Sequence, residues 1–115
     1  MSTELKNRTS KFGLRIVLLI KKNPPAPWSR SITNQLLRSA TSVGANYRAA
    51  CRGRSKAEFI AKLGICEEEA DECIYWISIL RDSEYLTPET ATELLDESNQ
   101  LLSIIIASIK TAKGR

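Results

Sequence analysis

The sequence predicts an all-α fold, an antiparallel up-down-up-down four-helix bundle in one domain spanning 1–115. Three observations carry that expectation. Glycine and proline number only five and four, so few turns interrupt the chain. Aromatic residues make up 6% of it, which favours long unbroken elements over a many-stranded sheet. Apolar residues also recur at spacings of three and four in four successive segments, the period of an amphipathic helix. At 43% hydrophobic and 26% charged residues, the 115-residue chain is of ordinary globular composition and can bury a core.

The first helix is expected from Thr3 to Lys22, anchored by Leu5, Phe12, Ile16, Leu19 and Ile20. Asn23-Pro24-Pro25-Ala26-Pro27 ends it, because proline lacks an N–H and pushes its predecessor toward extended backbone. The second is expected from Ser29, as N-cap, to about Arg52. Its inward residues are Ile32, Leu36, Ala40, Val43 and Tyr47, and Gly53 is expected to break its C-terminus. Gly44, Ala45, Ala49 and Ala50 make this helix small-sided, which suits close contact with another helix.

Ser55-Lys56-Ala57-Glu58 opens the third helix as a capping box, in which serine and glutamate each satisfy a free backbone N–H. Phe59, Leu63, Cys66, Ala70, Cys73, Ile77 and Leu80 then alternate spacings of four and three, a heptad seam. Ile60, Ile74 and Trp76 flank the seam. Their apolar surface exceeds what one seam needs and is expected to be covered by oligomerisation. The fourth helix begins at Thr87-Pro88-Glu89, with threonine as N-cap, proline at N1 and an acid at the positive helix end. Leu94, Leu95, Leu101, Leu102, Ile105 and Ile109 form its apolar face, and Lys110, Lys113 and Arg115 complement the dipole at its end. Short connections between long helices make sequential helices antiparallel neighbours.

The composition argues against most chemistry. The chain has no histidine, which removes the commonest general base, most nucleophilic triads and most metal sites. No phosphate-loop or G-x-G-x-x-G pattern occurs. Cys51, Cys66 and Cys73 form no C-x-x-C pair and read as reduced thiols packed like small apolar groups, implying a cytoplasmic, reducing environment. The acidic run Glu67-Glu68-Glu69-Ala70-Asp71-Glu72 reads as a solvated or ion-paired face, because bundle di-metal sites normally add Glu-x-x-His. No metal, cofactor or catalytic residue is expected, and the chain is read as non-enzymatic. Leu101 to Ile109 falls short of the ~20 apolar residues that cross a bilayer, and the N-terminus lacks a secretory signal's apolar core. No membrane partner is expected.

Charge is distributed unevenly. Residues 1–56 hold 12 Lys and Arg against one acid, a net +11, and residues 57–115 hold five against 12, a net −7. On a wheel of about 100° per residue, Arg30, Asn34, Arg38, Thr41, Arg48 and Arg52 share an arc of about 80°, opposite the apolar side. Arg54 and Lys56 prolong the charge past the helix end. Arg30, Arg38, Arg48, Arg52, Arg54 and Lys56 are therefore the candidate nucleic-acid-binding residues, able to follow a phosphate backbone. The competing reading pairs these arginines with Glu68, Asp71 or Glu72, within or between subunits. No stacking platform or base-reading motif is visible, so RNA and DNA are not distinguished.

The run Gln35-Leu36-Leu37-Arg38-Ser39, then 41–50 (TSVGANYRAA), then 54–63 (RSKAEFIAKL), and Glu68-Glu69-Ala70-Asp71-Glu72 followed by Tyr75-Trp76, carry a resemblance. Together they resemble the bacterial four-helix-bundle proteins encoded in intervening sequences of large-subunit ribosomal RNA genes. That family is similar to the accessory variability determinant of diversity-generating retroelements. The resemblance spans about Leu5 to Lys113, with Gly13, Gly53 and Ser78 as departures from the family pattern. It implies a bundle that assembles into a homopentameric ring. It further implies partners among nucleic acids, RNA or DNA, and a reverse transcriptase or another protein.

Overall fold

The computed structural model of the chain describes residues 2–114; Arg115, expected to complement the end of the fourth helix, lies outside them. Four helices account for nearly all of it: α1 (Ser2–Lys22), α2 (Pro27–Cys51), α3 (Lys56–Asp82) and α4 (Pro88–Lys113). No strand occurs among the described residues. The bundle measures 46 × 20 × 20 Å.

Side-chain pairings fix the antiparallel order. Gly13 of α1 lies against Ala40 and Thr41 of α2, and Gly44 lies against Thr9 and Ser10. Cys66 Sγ of α3 lies 3.6 Å from the Val43 carbonyl of α2. The α1–α2, α2–α3 and α3–α4 seams are closely packed, and the α4–α1 seam is wider. Ion pairs bridge that last seam: Arg8 Nη2 donates to Glu97 Oε1 at 2.8 Å, and Arg15 pairs with Glu93 one turn of α4 away.

The helix ends show which sequence signals operate. Thr87 accepts from the Thr90 N–H at 3.2 Å, and Pro88 opens α4. Ser55 caps α3 by accepting from the Glu58 N–H at 3.1 Å. The return half of the capping box is shifted: Glu58 Oε1 accepts from the Arg54 N–H at 2.9 Å rather than from Ser55. One expectation is corrected. The N-cap of α2 is Ala26, not Ser29, since Pro27 takes N1 with its φ already helical. Ser29 lies inside the first turn, buried, and donates to the Ala26 carbonyl. Gly53 follows directly on the end of α2 as expected, its N–H donating to the Ala50 carbonyl at 3.0 Å, but without left-handed backbone, since no glycine has positive φ. Its missing side chain matters instead, since a Cβ there would stand 3.1 Å from the Ala50 carbonyl oxygen and 3.3 Å from the Phe59 nitrogen. The left-handed residue is Glu84, at φ 68°, where Tyr85 and Leu86 both donate to the Leu80 carbonyl and close α3.

The heptad seam forms the centre of the core. Leu63, Cys66, Ala70, Cys73, Ile77 and Leu80 are all buried, and Phe59 is half-buried against them. Leu36, Ala40, Val43 and Tyr47 meet them from α2, Leu5, Phe12 and Ile16 from α1, and Leu94, Leu101 and Ile105 from α4. Each fully buried leucine or isoleucine contributes about 1.5–3 kcal/mol relative to exposure. The buried hydroxyls of Thr9, Ser29, Thr33 and Ser98 donate to carbonyls three or four residues earlier, so they cost little.

The surplus apolar surface does not lie where the heptad pattern suggests. Trp76 packs on the core, and Ile60 and Ile74 are half-buried, because α3 is covered by both α2 and α4. The exposed large aliphatic residues are instead Leu14, Val17 and Leu18 on one side of α1, with Leu14 55% and Leu18 51% exposed; the exposed aromatics are Trp28 at the start of α2 and Tyr75 on α3.

Candidate nucleic-acid interface

The α2–α3 end of the bundle gathers positive charge because three local features converge there. The last turn of α2 carries Arg48, and Arg52 follows as its C-cap residue, four positions on and about 6 Å further along the axis. The turn after Cys51 presents Arg54 just before the Ser55 cap, and Lys56 opens α3. The antiparallel register of α1 on α2 brings Lys6, Asn7 and Ser10 alongside Arg48 and Arg52.

Arg48 and Arg52 form a ridge between two open grooves. One, of about 490 Å³, runs between α1 and α2 and is lined by Lys6, Asn7, Ser10, Arg48 and Arg52. The other, of about 610 Å³, runs between α2 and α3 and is lined by Ala45, Ala49, Arg54 and Lys62 beside the two arginines. Glu58 also lines it, but its carboxylate is engaged by the Arg54 backbone N–H. Among the described residues, Lys6, Arg48, Arg52, Arg54, Lys56 and Lys62 form no salt bridge.

The six residues singled out from the sequence therefore divide. Arg48, Arg52, Arg54 and Lys56 gather at this end. Arg30 is exposed but lies eighteen residues before Arg48, about 27 Å along the helix. Arg38 is ion-paired: Nη1 donates to Glu69 Oε2 at 3.1 Å and Nη2 to Glu72 Oε1 at 2.9 Å. The hydrogen bonds it donates to the Glu69 carboxylate hold its guanidinium pKa above the ordinary value. Its partners are Glu69 and Glu72, and neither Glu68 nor Asp71 forms a salt bridge among the described residues. Sequence patterns alone did not single out Lys6, Asn7, Ser10 and Lys62. Each comes to the ridge through the register between helices.

No group of three or more His, Cys, Asp or Glu able to hold a metal occurs among the described residues. No described helix is long and apolar enough to cross a membrane. Burial pushes the Cys66 and Cys73 thiols up to about 12, so neither is a ready nucleophile near neutral pH.

Residues 2–107 match the family described as 23S rRNA-intervening sequence protein. The chain is similar to a crystal structure of a protein with unknown function from the S23 ribosomal protein family of Bacteroides thetaiotaomicron. The two share 34% identity with a TM-score of 0.84, covering 95% of this chain and 97% of that one. No curated protein matches the chain.

Proposed function

This chain belongs to the 23S rRNA-intervening sequence protein family, and we propose that it is a non-catalytic, homo-oligomeric accessory protein whose basic end binds nucleic acid. The observation that carries the reading is the division of the arginine arc. Arg38 is matched by two carboxylates, whereas Arg48, Arg52 and Arg54 line open grooves and, like the neighbouring exposed Lys56, form no salt bridge among the described residues. Like charges one turn apart on a helix repel by about 0.2–0.5 kcal/mol per pair, so a stack of unmatched cations favours a polyanionic partner. The contacts are to phosphates, which position a nucleic acid without reading its bases.

Two features support self-association. The Leu14, Val17 and Leu18 stripe leaves apolar surface on α1, and the α1–α2 half is basic while the α3–α4 half is acidic. Opposed faces of this kind favour head-to-tail contacts that close into a ring. A ring of five, and a reverse transcriptase or similar enzyme as a protein partner, follow from the resemblance to the retroelement accessory protein. Three free thiols, two of them buried, suit a reducing cytoplasm, where the assembly would act. A scaffold role, with arginines used only for ion pairing, is favoured by the geometry at Arg38 alone.

Two measurements test the reading. In fluorescence anisotropy, the double variant Arg48→Gln, Arg52→Gln should bind labelled RNA or DNA about tenfold or more weakly at fixed salt, and Arg38→Gln should lose much less. Equal affinity of the double variant and the unaltered chain removes the claim for the ridge. In light scattering, the unaltered chain should give a particle several times the 12.8 kDa protomer, and Leu14→Glu with Leu18→Glu should reduce it. A monomer at micromolar concentration removes the ring.

A further inference from the structure

Resting on the nucleic-acid reading above, we propose that the Arg48–Arg52 ridge takes the backbone of a base-paired duplex rather than an unpaired strand. The first reason is the shape of the site. The ridge has a groove on each side, and each is lined by further cations: Lys6 in one, and Arg54 and Lys62, which outnumber the single carboxylate of Glu58, in the other. Two flanking channels of positive charge match two rows of phosphate lying either side of a duplex groove. An unpaired strand offers one row.

The second reason is the absence of stacking surface. Proteins that hold unpaired strands combine a basic groove with aromatic side chains on which bases stack, worth about 1–3 kcal/mol per base. No aromatic residue lines either groove. Tyr47 is buried, and Phe59 is half-buried against the core. The two exposed aromatics stand elsewhere. Trp28 opens α2, about 30 Å of helix from Arg48. Tyr75 lies on α3 one turn from the exposed acids Asp71 and Glu72, where phosphates are repelled.

Charge density and lining chemistry point the same way. A duplex carries a charge per ~1.7 Å of axis, against ~3.4 Å for one strand, so it fills a broad cationic surface better. The apolar part of the second groove's lining is Ala45 and Ala49, whose side chains offer no donor or acceptor to a splayed base.

The test uses the full chain with three fluorescent probes at matched salt: an RNA duplex and a DNA duplex of about 20 base pairs, and an oligouridine of the same length that does not self-pair. Each duplex should bind about tenfold or more tightly than oligouridine. A lead for the RNA duplex assigns RNA as the source of the phosphates, a lead for the DNA duplex assigns DNA, and a tie assigns the geometry they share. Trp28→Ala should leave duplex affinity unchanged. Oligouridine binding as tightly as either duplex, or a tenfold loss on Trp28→Ala, overturns the duplex proposal while leaving nucleic-acid binding in place. Binding of none of the three overturns both.

Discussion

Replacing Gly44 with alanine should destabilise the bundle, while the same change at Gly64 should stabilise it. Both glycines lie inside helices, so both substitutions recover about 1 kcal/mol of helix propensity. The surroundings decide the difference. A Cβ at Gly64 meets nothing within 4 Å, and the propensity gain stands alone. A Cβ at Gly44 would sit 3.2 Å from the Thr9 carbonyl oxygen, 3.3 Å from its carbon and 3.4 Å from Ser10 Cα. Those atoms are the main chain of α1, so relief requires the whole helix to retreat by a few tenths of an ångström. The retreat would loosen Thr9, Phe12 and Ile16, which are buried beside it. Overpacking of this kind costs about 1–3 kcal/mol. The net expectation is a loss of about 0–2 kcal/mol at Gly44 and a gain of about 1 kcal/mol at Gly64. Circular dichroism melts at one protein concentration should separate the two variants by roughly 3–15 °C. A Gly44→Ala protein that melts at or above Gly64→Ala refutes the close crossing of α1 and α2.

Glu84→Gly should raise stability by about 0.5–1 kcal/mol. The left-handed backbone there, at φ 68°, costs a residue with a side chain about 1–2 kcal/mol, and the greater freedom of unfolded glycine returns only part of it. A lower melting temperature for that variant contradicts this account of the α3 end. Stability should also fall in mild alkali. Burial pushes the Cys66 and Cys73 thiols up to about 12, whereas their ordinary value is 9.0. Below about pH 9 both states keep these protons. Above it the unfolded chain sheds them and the folded chain does not, so stability drops by about 1.4 kcal/mol per pH unit for each thiol until about 12. Urea melts in reductant at pH 9 and 10 check this, and a Cys66→Ala, Cys73→Ala chain with the same pH dependence counts against it.

Elements with a strong local cause were legible in the sequence. The α3 seam, the Thr87-Pro88 start and the Ser55 cap need only periodicity and capping chemistry, and the structure places them as expected. The start of α2 was misjudged because two signals competed there, and the fixed φ of Pro27 prevailed over the capping preference of Ser29. Gly44 was readable as a small residue suited to close contact, but Gly13 as its counterpart across the crossing was not, since that needs the register. The same limit governs the basic end. A helical wheel groups Arg38 with Arg48 and Arg52, yet only the packing of α3 shows Glu69 and Glu72 beside Arg38. Lys6 and Lys62 are ordinary surface lysines until α1 and α3 bring them to the ridge. The exposed large aliphatic residues lie on α1 rather than beside the α3 seam for a similar reason. A heptad seam reports how apolar a helix is, not how many neighbours cover it.

The salt dependence of nucleic-acid binding tests the central claim most directly. Six cations without salt bridges among the described residues, Arg48 and Arg52 of the ridge and Lys6, Arg54, Lys56 and Lys62 at the same end of the bundle, are carried by each protomer. If four to six of them meet phosphates, the plot of log Kobs against log salt on duplex DNA should be linear with a slope of about −4 to −5 per protomer engaged. A shallow slope, or no binding at about 50 mM salt, would contradict the claim and leave these cations without a phosphate partner.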